Sequence, residues 1–264
     1  MGKISILIFT TIFNAVLLNQ IIITNKIIKI PSYLFSALFI IISLPFINLE
    51  NYWIIMISTF LFLLSYRELI QLKNPNHKKQ RIFKSGFFMS LMIVIDINLI
   101  IFYFVPLFAL LYYKEFNWRQ MIIQCMGLGF SLIFYYIFML LDYTLIDYMY
   151  LSQDTAENNY SIFQQTPITL SLIGFLFIPS GRELYNNYYR KTEHSKKGFV
   201  LIYFCTTLTL LYFMFSNNVY FIYFLVIPAT IIIGNYLIYL KRRYFRTFLL
   251  GLLFIIFLFE FFYL

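Results

Sequence analysis

The sequence predicts an all-α, polytopic helical membrane protein with about ten helical elements, including a short helical hairpin at about 86–113. Three observations predict it. Of 264 residues, 61% are hydrophobic and only 12% charged, with mean hydropathy +0.79, which no water-soluble domain of ordinary composition carries. Apolar runs of roughly 15 to 23 residues recur from end to end, and the gaps between them are too short to fold separately, so residues 1–264 read as a single transmembrane domain. The basic residues, finally, gather in those gaps. Heavy use of Ile, Phe, Tyr, Asn and Lys fits AT-rich coding and a bacterial source.

The elements follow in order. The run at about 4–23 is preceded by one Lys and lacks a small-x-small cleavage site, so it reads as a retained helix and not a removed signal peptide. The runs at about 31–47 and 52–71 meet at the tight turn "INLEN", which holds Glu50. The run at about 86–113 is long enough to cross a bilayer once, yet Asp96 and Asn98 interrupt it in "SLMIVIDINLIIFY". The run at 119–141 leads into the one substantial acidic loop, "DYTLIDYMYLSQDTAENNYSIFQQ". The runs at 166–180 and 198–215 flank "GRELYNNYYRKTEHSKKG", and those at 219–240 and 247–264 flank "KRRYFR". At about 1.5 Å per residue most of these span a ~30 Å hydrocarbon core, some only with local thinning.

Positive charge decides whether 86–113 crosses once or turns back. If it turns back, every basic loop faces the cytoplasm and 19 of the 20 Lys and Arg lie inside, leaving Lys3 alone outside. A single crossing puts the first two basic loops on the opposite side from the rest and abolishes the bias. The hairpin is therefore expected, with arms at about 86–96 and 98–113 that reach only ~16 and ~24 Å, an apex at Asp96 and Asn98, an indented outer face, and both termini outside. The acidic loop agrees: Asp142, Asp147, Asp154 and Glu157 stand there without a Lys or Arg, and Glu50 and Glu260 also fall outside.

Candidate chemistry is sparse. Asp96 is the sharpest single residue, because an ionisable group at membrane depth often binds a cation, a proton or a sugar hydroxyl; the plainer role is an Asx turn or helix cap. Glu50, Asp96 and Asp142 are the acidic candidates for glycosyl chemistry. Arg67 and Arg119 are candidate phosphate or lipid headgroup contacts, with interfacial snorkelling as the plainer reading. His77 and His194 lack neighbouring ligands at metal spacing, so no metal site is expected. Tyr185, Tyr188 and Tyr189 suit interfacial anchoring. Gly127 and Gly129 in "CMGLGF" read as helix-packing glycines, and Cys125 and Cys205 as small buried residues. No phosphate-binding glycine loop, nucleophile elbow or HExxH motif occurs, and no cofactor is expected. The net charge of +9 sits beside membrane runs, a pattern that belongs to anionic lipid headgroups and not to nucleic acid.

Asn25, Lys26, Ser32 and Tyr33, then "LSYRELIQL" with Arg67, "RIFKSGFF" with Gly86 and Phe87, and "FNWRQ" with Trp118 and Arg119 carry a resemblance. Over residues 25–137, about half the chain, the sequence resembles an uncharacterised family of bacterial polytopic integral membrane proteins designated only as a domain of unknown function. Glu68 stands where the family has a second Arg, Lys84 where it has an Asp, and an additional first helix of the family has no counterpart here. The resemblance implies a shared architecture. At a coarser level, the order of basic loop, short hairpin from Gly86, basic loop and long helix resembles the core of C-type glycosyltransferases, which use polyprenyl-linked sugars and an outer-loop acid for which only Glu50 is placed. The expected function is a non-catalytic accessory or scaffold component of the cell envelope, in the bacterial cytoplasmic (inner) membrane, partnered by membrane lipids and an envelope protein complex. The alternatives are a C-type glycosyltransferase-like enzyme acting at the outer face and a small-solute transporter with Asp96 at its midplane.

Overall fold

The computed structural model describes residues 2–28, 30–43, 52–73, 77–113, 117–141, 167–215, 223–240 and 243–263. Among them are ten α-helices: α1 (Gly2–Thr24), α2 (Leu34–Ser43), α3 (Tyr52–Ile70), α4 (Lys78–Ile95), α5 (Phe104–Tyr112), α6 (Trp118–Leu141), α7 (Pro167–Asn186), α8 (Glu193–Phe215), α9 (Val226–Tyr239) and α10 (Arg243–Tyr263). The all-α class is as expected, and each helix lies on one of the apolar runs.

The boundaries differ where basic residues were expected to form loops. Helix α4 begins at Lys78, so Lys78, Lys79, Arg81 and Lys84 form its first turns. Lys, Arg and Gln are good helix formers, and their long stems let the charged heads reach water while the backbone continues. With 18 residues α4 is about 27 Å long and not the expected ~16 Å. Likewise α7 runs on to Asn186 and α8 starts at Glu193, leaving a short 3-10 turn, Tyr188–Arg190, near the middle of that basic stretch.

The helices group into two compact units, Met1–Tyr52 with Tyr160–Leu264, and Trp53–Asn159. In the first, α9 is the core: Val226 to Asn235 and Leu237 are all buried, as befits a helix that is apolar all round, and α2, α7 and α8 pack on it. The packing is closest at Gly234, where a Cβ would lie 2.4 Å from the ring of the fully buried Phe35. Gly234→Ala is therefore expected to destabilise by about 1–3 kcal/mol through displacement of that ring. Gly251→Ala, with nothing within 4 Å, is expected to leave thermal unfolding in detergent unchanged or slightly raised.

In the second unit α4 lies along α6, and the segment after Ile95 folds back on α4. A Cβ at Gly86 would meet the Gln124 carbonyl at 2.6 Å, and the Tyr103 hydroxyl donates to that same carbonyl at 3.2 Å. Were 86–103 one straight helix, those two residues would stand about 25 Å apart. The chain thus reverses at Asp96. The return arm differs from expectation in kind: residues Ile97–Tyr103 form a 3-10 helix, and only Phe104–Tyr112 are α-helical.

Candidate functional site

At the hairpin apex α4 ends as the Asp96 N–H donates to the Met92 carbonyl, and Asp96 itself is extended (φ −144°, ψ 109°). Its carboxylate Oδ1 accepts from the Asn98 N–H at 3.0 Å, which is the Asx turn that starts the 3-10 arm. The residue is 7% exposed. The polar pair that looked like a site in an apolar run is thus the reversal itself. Asp96→Asn, which keeps the acceptor, is expected to hold stability within about 0.5 kcal/mol, whereas Asp96→Leu should cost about 1–2 kcal/mol. Denaturant unfolding of the two variants in the same detergent checks the difference.

Below the apex, α4 and α6 approach through small residues. A Cβ on Gly127 would sit 2.8 Å from both the Phe83 carbonyl oxygen and the Phe87 nitrogen. One turn along, the Ser90 and Ser131 hydroxyls hydrogen-bond at 2.5 Å, and Ser131 also donates to the Phe87 carbonyl. Gly86 and Ser90 on α4, and Gly127 and Ser131 on α6, each four residues apart, make a small-xxx-small seam on both helices. Gly129, expected beside Gly127 as a packing glycine, has nothing within 4 Å. Cys205 is buried as expected, but Cys125 is exposed, because it lies on the side of α6 away from Gln124, Gly127 and Ser131.

The first unit holds a polar network whose members lie far apart in the sequence. Asn235, fully buried on α9, donates from Nδ2 to Glu183 Oε2 at 3.1 Å and accepts at Oδ1 from Lys191 Nζ at 2.9 Å. Asn187 donates to the other Glu183 oxygen at 3.0 Å. The Lys191 ammonium also lies over the rings of Phe199 at 4.5 Å and Tyr239 at 5.3 Å, an aromatic setting that favours a cation. One buried amide thereby joins an acid on α7, a base in the following turn, and α9.

A family model described as a family of unknown function (DUF6427) matches residues 2–264. The chain belongs to this family. The match extends well beyond residues 25–137. Comparisons with curated proteins and with solved structures give no match.

The motif residues of this DUF6427 chain take structural places. Asn25 is buried and its side chain donates to the Ile21 carbonyl, closing α1, and Lys26 has φ 48° in the turn that follows. Ser32 accepts from the Leu34 N–H at the start of α2. Gly86 forms the seam, and Arg119 stacks its guanidinium over Trp118 at 5.6 Å on an exposed surface. Arg67 is exposed near the end of α3, while Arg119 opens α6, so each phosphate candidate stands at a helix end. His77 is exposed in a left-handed conformation (φ 64°) ahead of α4. Among the described residues no group of three or more His, Cys, Asp or Glu stands together at metal-binding distance. Glu50, Asp142 and the rest of the acidic loop lie outside the described residues, as does the side chain of His194.

Proposed function

We propose that this DUF6427 chain is a multi-pass protein of the bacterial cytoplasmic membrane and a non-catalytic accessory or scaffold component of the cell envelope. One observation carries the membrane reading. Helix α6 buries Gln124, Gly127 and Ser131 and turns Met126, Ile133, Phe134 and Ile137 outward. A helix facing water does the opposite. In hydrocarbon the tails solvate apolar side chains, and helices associate through small and hydrogen-bonding residues. Helix α1 repeats the pattern, burying Thr11, Asn14 and Asn19 while Phe9, Phe13 and Val16 face out. By length and composition α1 and α6 are, among the described residues, the two helices able to cross a membrane unaided; the shorter apolar helices reach across only as parts of a bundle with local thinning.

The non-catalytic part of the reading is supported by where the polar groups point. The Asp96 carboxylate accepts from its own turn, the seam serines bond each other, and Glu183 and Lys191 meet through Asn235. An acid serving lipid-linked sugar transfer instead faces its substrate. Extraction of native membranes with styrene–maleic acid tests the reading. The expected particle contains the chain with a second protein at fixed stoichiometry, and Asp96→Asn/Glu50→Gln/Asp142→Asn restores whatever envelope defect deletion causes. Recovery of the chain alone, or failure of a stably inserted triple variant to complement, would return the transferase reading.

A further inference from the structure

The geometry points to a binding site for an anionic phospholipid along the outward face of α7. The inference rests on the membrane reading above and names one lipid-binding surface within it. Phe175, Ile178, Arg182 and Tyr185 follow at three- and four-residue steps, and Tyr189 continues the spacing into the next turn. At 100° per residue the four helical positions share an arc of roughly 80°. All five are exposed, Ile178 by 75% and Tyr189 by 85%. The opposite side of α7, with Leu176, Ser180 and Leu184, is buried. The stripe is graded along its length: two hydrocarbon side chains, then a guanidinium, then two phenols.

That order is the order of an amphiphile lying in one leaflet. Phe175 and Ile178 face acyl chain, Arg182 stands about 6 Å beyond Ile178 to meet phosphate, and the tyrosines sit at headgroup depth. Gly181 flanks the stripe with nothing within 4 Å of its missing Cβ, which leaves room for a chain beside Arg182. Electrostatics favour an anion. From Gly181 to Lys197 the sequence has five cations and two carboxylates. Of these cations Lys191 is drawn inward to Asn235, and Lys196 is paired with Glu193 at 3.0 Å, while Arg182 and Arg190 are exposed. A guanidinium grips phosphate with two parallel hydrogen bonds, and the basic ends of the helices face the leaflet that holds anionic lipid. A partner helix, by contrast, packs on small residues, and none of Phe175, Ile178, Arg182 and Tyr185 is small.

The test uses the full chain in nanodiscs of equimolar phosphatidylglycerol and phosphatidylcholine with identical acyl chains, released for native mass spectrometry. Wild type is expected to retain phosphatidylglycerol over phosphatidylcholine about tenfold or more. Arg182→Gln should cut that preference about fivefold, and Arg182→Gln/Arg190→Gln should abolish it. Arg182→Lys should keep most of it, and Arg67→Gln all of it. Gly181→Leu should lower retention of both lipids together. Equal retention by wild type, a preference that survives the double substitution, or a photo-crosslinker at position 178 that captures protein and not lipid would overturn the site. A chain that carbonate washes off the membrane refutes the membrane reading itself, whereas an embedded chain indifferent to headgroup refutes this site alone.

Discussion

Gly127→Leu is expected to be among the most damaging single substitutions in the second unit, with a loss of about 3 kcal/mol or more and little monodisperse protein after extraction. The reason lies in what a Cβ meets there. Both close atoms, the Phe83 carbonyl oxygen and the Phe87 nitrogen at 2.8 Å, are backbone, so no rotamer change relieves the clash and α4 and α6 must separate. Separation also breaks the Ser90–Ser131 bond and strips the α4 contact from the return arm that Tyr103 ties to Gln124. Gly129→Leu, two residues away over open space, is the matched control and should unfold at the wild-type temperature. Thermal unfolding followed by size-exclusion chromatography separates the two outcomes.

Asn235→Leu is expected to have the second largest effect, about 2–4 kcal/mol, in the first unit. The substitution fits the apolar surroundings of α9 but removes the donor to Glu183 and the acceptor from Lys191 together. Hydrogen bonds to charged groups are the stronger ones, and the loss is tempered because both charged side chains are only half-buried. Adding Glu183→Leu to Asn235→Leu should cost less than the sum of the two single changes, since the second removes a group already stranded by the first. Additive losses would show that Asn235 acts through packing and not through the bridge.

Much of the fold was legible in the sequence, for definite reasons. Nine apolar runs became ten helices, because a long apolar run satisfies its backbone most simply as a helix and the run at 86–113, interrupted at Asp96, supplies two of them. The reversal at Asp96 was legible because charge asymmetry is a long-range signal that survives ignorance of packing. The basic turns at Lys78 and Glu193 were misplaced because hydropathy marks where polarity changes, whereas the helix stops where backbone geometry changes, at His77 (φ 64°) and at the turn through Tyr188–Arg190. The Glu183–Asn235–Lys191 bridge was missed because its members lie 44 and 52 residues apart in sequence. One signal pointed to it: Asn235 is the lone amide in "IPATIIIGNYLIYL", and a buried amide needs partners. Gly127 and Gly129 cannot both face α4, since a two-residue step turns a side chain about 200° around the helix, and the periodicity of the surrounding apolar residues does not say which of the two does.

The most direct test of the account is the sidedness of the two loops that flank the hairpin. Single cysteines at positions 76 and 115, in a Cys125→Ala/Cys205→Ala background, are probed with a membrane-impermeant maleimide in intact cells and in inverted vesicles. Reversal at Asp96 predicts that both are labelled only in the inverted vesicles. Labelling of one position from each side would mean that residues 86–113 cross the membrane once, and would contradict the hairpin and the topology built on it.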